Sequence, residues 1–343
     1  MTMQYDVYGL GNALVDMEFR VDEGFLRHHG ISKGHMTLVP EERLDALTAA
    51  LSDYRPERMS GGSAANTIIA VQGFGGRTFY SCRLAGDDTG QHFLSDLGTA
   101  GVATNRNALA DISAGKSGRC LVLVTPDAER SMNTFLGISS ALNPADIDEA
   151  ALATSRFFYA EGYLSSGAES LAAAIAAREL AETSGVHTAV SLSDSSMVAF
   201  FRDNLTLILG NGIDLLFCNE EEALAWASTD RMDIAVRELR EIGRMVYITL
   251  GKAGSLVVSA HDLTRVDGFS ARAVDTNGAG DIFAGACLYG WCAGFDPVAC
   301  ASFGNFAAAR LVATYGARFR QIGDYRQLIA EFRSGVPVAV HRG

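Results

Sequence analysis

From residue 141 onward, short apolar runs of strand length alternate with longer segments whose apolar residues recur at helical spacing. "SRFFYAEGYL", "HTAVSLSD", "IDLLFCN" and "RMVYITLG" are the strands. "SLAAAIAARELAETSG", "VAFFRDNLTLILGNG" and "EEEALAWAS" are the helices between them. "AGSLVVSA" and "SARAV" predict two further strands, ahead of closing helices over 279–294 and 296–315. Such alternation builds a doubly wound α/β fold, a mainly parallel sheet with helices on both faces. The same units open the chain: "YDVYGL" and "RTFYSCRLAG" read as strands, "SAANTIIAVQGFG" and "DDTGQHFLSDLGTAG" as helices. Three segments break the alternation. "MEFRV" and "HMTLV" alternate apolar with polar residues, as half-exposed strands do, and "GRCLVLVTPDAERSMNTF" is a hairpin turning at Thr125 to Glu129. They predict a small separate β-sheet, built from about 14–39 and 115–136, serving as a lid on a single domain over 1–343.

Composition narrows the function classes. A net charge of −12 argues against nucleic-acid and anionic-membrane partners. No apolar run is long enough to span a bilayer, and "MTMQYDVYGL" lacks the basic region and apolar core of a signal peptide, so a cytoplasmic location is expected. The six cysteines are dispersed without a CxxC pair and the histidines show no metal-binding spacing, which predicts neither disulfides nor a zinc site. In so acidic a chain, a phosphate must be held by local devices such as helix N-termini and backbone N–H groups.

Several glycine clusters compete for that role. Gly115-Lys116-Ser117 ends like a P-loop, but Ala110 stands where the first glycine is required and the segment leads into a strand. "GLGNAL" and "GAGDIF" carry Leu14 and Phe283 at the third glycine position of a dinucleotide fingerprint. "ARAVDTNGAGDIFAGACLYG" fits better. Gly278, Ala279 and Gly280 would be the last residues before a helix, where an unobstructed backbone converges on an anion at the positive end of the helix dipole. Asp281 has two readings at this stage: a favourable charge in the first helical turn, or a general base beside the phosphate.

"DTNGAGD" resembles the DTxGAGD signature of the PfkB carbohydrate kinases, the ribokinase and adenosine kinase superfamily. "SGGSAANT", "CNEEE", "ITLGKAGS" and "ASFGNFAAARLVATYGAR" resemble further elements of that family, in family order along nearly the whole chain. The resemblance implies ATP-dependent phosphoryl transfer to a hydroxyl. It casts Asp281 as base, the N–H groups of Gly278, Ala279 and Gly280 as an anion hole, and Arg130 as a lid cation approaching the phosphates. Thr249, Gly251, Gly254 and Asn305 match nucleotide contacts. Asn219 and Glu222 match the element that helps hold Mg2+ through water, and a K+ site near Asp275 occurs in some relatives. Cys218 stands where many members have proline.

On the acceptor side, Asn12 and Asp16 in "GNALVD", with Gly62 and Asn66, match contacts to sugar hydroxyls. Met36, Leu38, Met132 and Tyr163 resemble the apolar cover and base-stacking aromatic of the adenosine kinase branch, which favours a nucleoside. Ribose, fructose or a related keto sugar is the alternative acceptor. A catalytically silent ligand-binding relative is the second alternative. The family includes monomers and homodimers, so the resemblance leaves oligomeric state open.

Overall fold

The structure is a computed structural model describing residues 3–34, 36–105, 115–127, 129–335 and 340–342. Ala110, His35 and Ala128, which figure in the sequence reading, lie outside the described residues. The strands are β1 (Tyr5–Leu10), β2 (Leu14–Arg20), β3 (Met36–Leu38), β4 (Glu57–Gly61), β5 (Thr78–Ser81), β6 (Ala103–Thr104), β7 (Gly118–Val124), β8 (Arg130–Phe135), β9 (Ser155–Glu161), β10 (His187–Ser191), β11 (Ile213–Asn219), β12 (Gly243–Thr249), β13 (Ser255–Ser259), β14 (Leu263–Val266) and β15 (Val340–Arg342). The helices are α1 (Glu23–His28), α2 (Glu41–Ala50), α3 (Ser63–Phe74), α4 (Asp88–Ala100), α5 (Glu149–Ala153), α6 (Ala168–Ser184), α7 (Ser195–Leu209), α8 (Glu220–Trp226), α9 (Met232–Arg240), α10 (Ala279–Cys292), α11 (Pro297–Leu311) and α12 (Ile322–Arg333).

The large sheet has the order β15-β14-β13-β12-β11-β10-β9-β1-β5-β6. From β6 to β12 neighbouring strands run parallel, and β13 to β15 add an antiparallel edge. Both faces are buried, as a parallel sheet requires. One face packs against Ala173, Ala177, Leu205 and Leu239 of α6, α7 and α9. The other packs against Ile68, Phe93, Phe283 and Ala301 of α3, α4, α10 and α11. Chain order diverges at β1, which leads to β5 on one side and pairs with β9 on the other. That is the topological switch point, where open α/β sheets hold ligands beyond the carboxyl ends of their strands.

The small sheet has the order β3-β8-β7-β2-β4. Its alternation of side chains divides its chemistry. Met17, Phe19, Leu121 and Leu123 turn to one face, where Leu26 of α1 and Leu44 and Leu47 of α2 cover them in a core of its own. Asp16, Cys120, Met132 and Thr134 turn to the other face, towards the large sheet's cavity.

Three local expectations need correction. "SARAV" is irregular: Val274 and Asp275 donate their N–H groups to the Val312 carbonyl at the end of α11, so they join no strand. α10 begins at Ala279, which places Ala279 and Gly280 inside its first turn and leaves Gly278 as the N-cap. β4 joins the small sheet by pairing with β2, although its sequence, "ERMSG", has no strand-like alternation. Its ladder with β2 supplies what its side chains do not.

Leu47 is fully buried between α2 and the small sheet. Leu47→Ala is expected to lower stability by about 2–5 kcal/mol, read as a reduced urea midpoint.

Candidate active site

A cavity of about 740 Å³ lies along the carboxyl ends of the parallel strands, under the small sheet. The last residues of four successive strands line it: Glu161, Ser191, Asn219 and Thr249. The small sheet contributes Asp16, Arg130 and Met132, and the 273–281 segment contributes its opposite wall.

The start of α10 is shaped by contact with the chain 39 residues further on. Gly278 has φ +72, and a Cβ there would lie 1.8 Å from the Ala317 carbonyl oxygen, so only glycine fits. No side chain caps this helix, which leaves first-turn amides available to a ligand. The Ala279 N–H makes a long 3.3 Å bond to the Thr276 carbonyl. At Gly280 the Cβ direction is open, with nothing within 4 Å.

Asp281, one residue on, is held from across the cavity. Ser63 Oγ donates to its Oδ1 at 2.6 Å and Asn66 Nδ2 to its Oδ2 at 3.1 Å. Burial raises its pKa from the ordinary 3.8 to about 6, against the lowering effect of those two donors. Asn66 therefore touches Asp281 directly, beyond the sugar contact its motif suggested. Gly62 caps the start of α3 with φ +98, where a Cβ would lie 2.3 Å from the Asn12 carbonyl oxygen.

At the switch point Glu161 is buried at the end of β9. It accepts the Asn12 N–H at 2.8 Å, Asn12 Nδ2 at 2.9 Å and the Ala64 N–H at 2.7 Å. Burial nonetheless raises its pKa to about 7. Asp16 stands on β2 with its carboxylate over Gly61, where a Cβ would come within 2.4 Å of Asp16 Cγ. Burial raises Asp16 to about 7; Arg318 and Arg130 oppose the shift, while Asp281 and Glu18 add to it.

Arg130 is not the solvated turn residue that an arginine in a hairpin would ordinarily be. It is 8% exposed, opens β8, and pairs with Glu18 at 3.5 Å and with Asp275. Asp275 also accepts the Asn277 N–H at 2.9 Å and the Gly316 N–H at 2.5 Å.

Asn219 and Glu222 form a reciprocal capping box at the start of α8: Glu222 N–H donates to Asn219 Oδ1 at 2.8 Å, and Asn219 N–H and Nδ2 donate back to Glu222. Glu222 is also buried and lines the cavity, its pKa raised to about 8 by burial and by Asp194, Glu221 and Asp281. Among the described residues no three His, Cys, Asp or Glu side chains converge to bind a metal directly. One buried carboxylate with an amide beside it fits Mg2+ held through water, since magnesium keeps most of its hydration.

Thr249 and Gly251 line the cavity, whereas Gly254 and Asn305 do not. Asn305 Nδ2 donates to the carbonyls of Val266 and Asp267 at 3.1 and 3.2 Å, and a Cβ on Gly254 would lie 2.1 Å from the Val266 oxygen. Both shape the end of β14. Met36, Leu38, Met132, Leu136, Tyr163 and Met197 give the cavity apolar lining. Glu161 and Ser63 were missed by sequence reasoning. A serine right after Gly61-Gly62 gave a weak signal; Glu161, within an apolar run, signalled only by being an acid at a strand end.

The sequence pattern described as pfkB family carbohydrate kinase matches residues 44–322. The chain is 26% identical to adenosine kinase of Saccharomyces cerevisiae over 331 residues, covering 90% of this chain and 94% of that protein. It is 26% identical to ribokinase of Staphylococcus aureus over 267 residues, covering 75% and 83%. Among solved structures, the adenosine kinase from Sinorhizobium meliloti superposes with a TM-score of 0.89 at 33% identity, covering 96% of this chain and 99% of that one.

The raised carboxylates set a pH dependence of stability. Asp16, Glu161 and Asp281 ordinarily titrate at 3.8 to 4.5, and in the fold at about 7, 7 and 6. Between those values the native state binds more protons than the unfolded chain, so their contribution is full below the unfolded pKa and is lost as pH rises through the folded one. The ligand-free protein is expected to gain thermal stability from pH 8 down to pH 5.5. Glu161→Gln should flatten that slope in a scanning fluorimetry series.

Proposed function

The chain belongs to the pfkB family of carbohydrate kinases, and on that premise we propose that it transfers the γ-phosphoryl group of ATP to a hydroxymethyl oxygen of a nucleoside resembling adenosine. It is a phosphotransferase acting on an alcohol group, an ATP-dependent nucleoside or sugar kinase. The observation that carries the proposal is Asp281, held by Ser63 and Asn66 at the uncapped start of α10, within one cavity that also contains Asp16.

In this reading Asp16 and Asn66 hold acceptor hydroxyls, with Asn12 kept in place by Glu161. Asp281, with a pKa of about 6, is ionised near neutral pH yet close enough to it to accept a proton effectively. It takes the proton of the attacking hydroxyl as the oxygen bonds to the γ-phosphorus and ADP departs. The amides at Gly278 to Asp281 and the α10 dipole stabilise the charge on the transferred group. The small sheet acts as a lid, and Arg130 meets the phosphates by exchanging its carboxylate partners as the lid closes.

Thr249 and Gly251 border the nucleotide, and Gly254 and Asn305 support that edge from behind. Asn219 and Glu222 would hold Mg2+ through water; the ion neutralises phosphate charge when bound. No step of this reading is routed through a K+ ion near Asp275. α1 and α2 cover the small sheet's outer face, which favours a monomer over pairing through that face. A cytoplasmic setting supplies the ATP.

The apolar lining of the cavity favours a nucleoside over a bare sugar. A base would bury Met36, Leu38, Met132 and the Tyr163 ring, at roughly 25 cal/mol per Å² removed from water; ribose or fructose would leave them wet. ATP consumption is therefore expected to be highest with adenosine in a panel with inosine, guanosine, ribose and fructose. Asp281→Asn should lower kcat about 10²–10⁴-fold and retain ATP binding. Undiminished turnover in that variant would remove the base assignment. Absence of turnover with every acceptor, despite ATP binding, would favour the silent relative.

A further inference from the structure

Arg318 closes the "ASFGNFAAARLVATYGAR" element with no role assigned to it there, and it lies where the two halves of the site meet. It is 5% exposed. Its Nη2 donates to Ser60 Oγ at 2.8 Å and also pairs with Asp96 of α4, and its Nε donates to the Ser60 carbonyl at 3.2 Å. Asp96 in turn accepts the Ser60 N–H at 2.9 Å and its hydroxyl at 2.5 Å. Ser60 is thereby gripped at four polar contacts, at the last step before Gly61 and Gly62. On one side of it β4 pairs with β2, with Gly61 making room for Asp16; on the other α3 begins, with Ser63 and Asn66 on Asp281.

The two residues before Arg318 touch the nucleotide side. The Ala317 carbonyl fills the space over Gly278, and the Gly316 N–H caps Asp275. Three consecutive residues thus bind the turn that leads into α10 to the pivot from which the small sheet and α3 both depart. Arg318 is also the foremost cation opposing the raised proton affinity of Asp16. The other ionisable groups around Asp16 are Glu18 on its own strand, Cys120 on β7, Arg130 on β8, Asp281 on α10 and Arg320 two residues beyond Arg318.

We propose that Arg318 is a positioning residue for phosphoryl transfer: through Ser60 it fixes the acceptor-binding Asp16 against Asp281. This rests on the reading of Asp16 as the carboxylate that binds acceptor hydroxyls, and the test separates the two.

Steady-state kinetics with adenosine and ATP are compared for the parent protein, Arg318→Gln, Arg318→Lys, Ser60→Ala and Asp16→Asn, from pH 5.5 to 8.5. Arg318→Gln is expected to raise the acceptor KM about tenfold, leaving the ATP KM within about twofold. The acidic limb of acceptor kcat/KM should move up by about one pH unit, because a nearby opposite charge holds a carboxylate pKa down by that order. Arg318→Lys should return the limb towards its original place without restoring KM. Ser60→Ala keeps the charge, so it should raise the acceptor KM with the limb unmoved; it also serves if Arg318→Gln does not fold.

Parallel losses for both substrates with an unmoved limb in Arg318→Gln would overturn the proposal, as would a Ser60→Ala protein that matches the parent. Asp16→Asn with unchanged acceptor KM would instead overturn the reading of Asp16.

Discussion

The close crossing of α3 and α10 is the constraint on which the site depends. It is permitted by Gly285, where a Cβ would lie 2.8 Å from both the Ala70 side chain and the Thr67 carbonyl. With the helices that near, Ser63 and Asn66 in the first turns of α3 reach Asp281 in the first turn of α10. Both helices start on glycines of positive φ, and neither carries a side-chain cap. Two positive dipole ends therefore meet at one cavity in a chain of net charge −12. That geometry reconciles an acidic protein with a phosphate-bearing substrate. It also supplies counter-charge for Asp281 and, through the Ala64 N–H, for Glu161.

What was legible in the sequence is what local rules determine. Apolar periodicity identified most of the parallel strands and the helices between them, but not α9 or the short β6, and glycine clusters marked the places where backbone must approach a ligand or another segment. Most motif residues, from Asp16 to Asp281, line one cavity. The less legible parts depend on partners distant in the chain. β4 is a strand because β2 lies beside it, and "SARAV" is irregular because its amides turn to the end of α11. Arg130 follows the hairpin turn as a solvated arginine would, and only the fold brings Glu18 and Asp275 to it. Glu161, inside an apolar run, gains its meaning from Asn12 and Ala64, which lie 149 and 97 residues away. Spacing along the chain carries no trace of such pairs. Gly254 and Asn305 show the reverse case: residues legible by motif, whose own contacts are with the backbone at the end of β14.

The small sheet's own core under α1 and α2 has an entropic consequence. A disordered flap would have to freeze as it covered the substrate, at about 1–2 kcal/mol for each residue fixed, and that cost would come out of acceptor affinity. A plate already folded around Leu26, Leu44, Leu47 and Leu121 would lose little internal freedom in swinging as the proposed lid. Two of its joints to the large sheet, at 11–13 and at Gly61-Gly62, are short and glycine-bearing. Under the proposed function, most of the attraction between acceptor and cover would then be left to orient the hydroxyl, and the rate of closure would be a property of the joints.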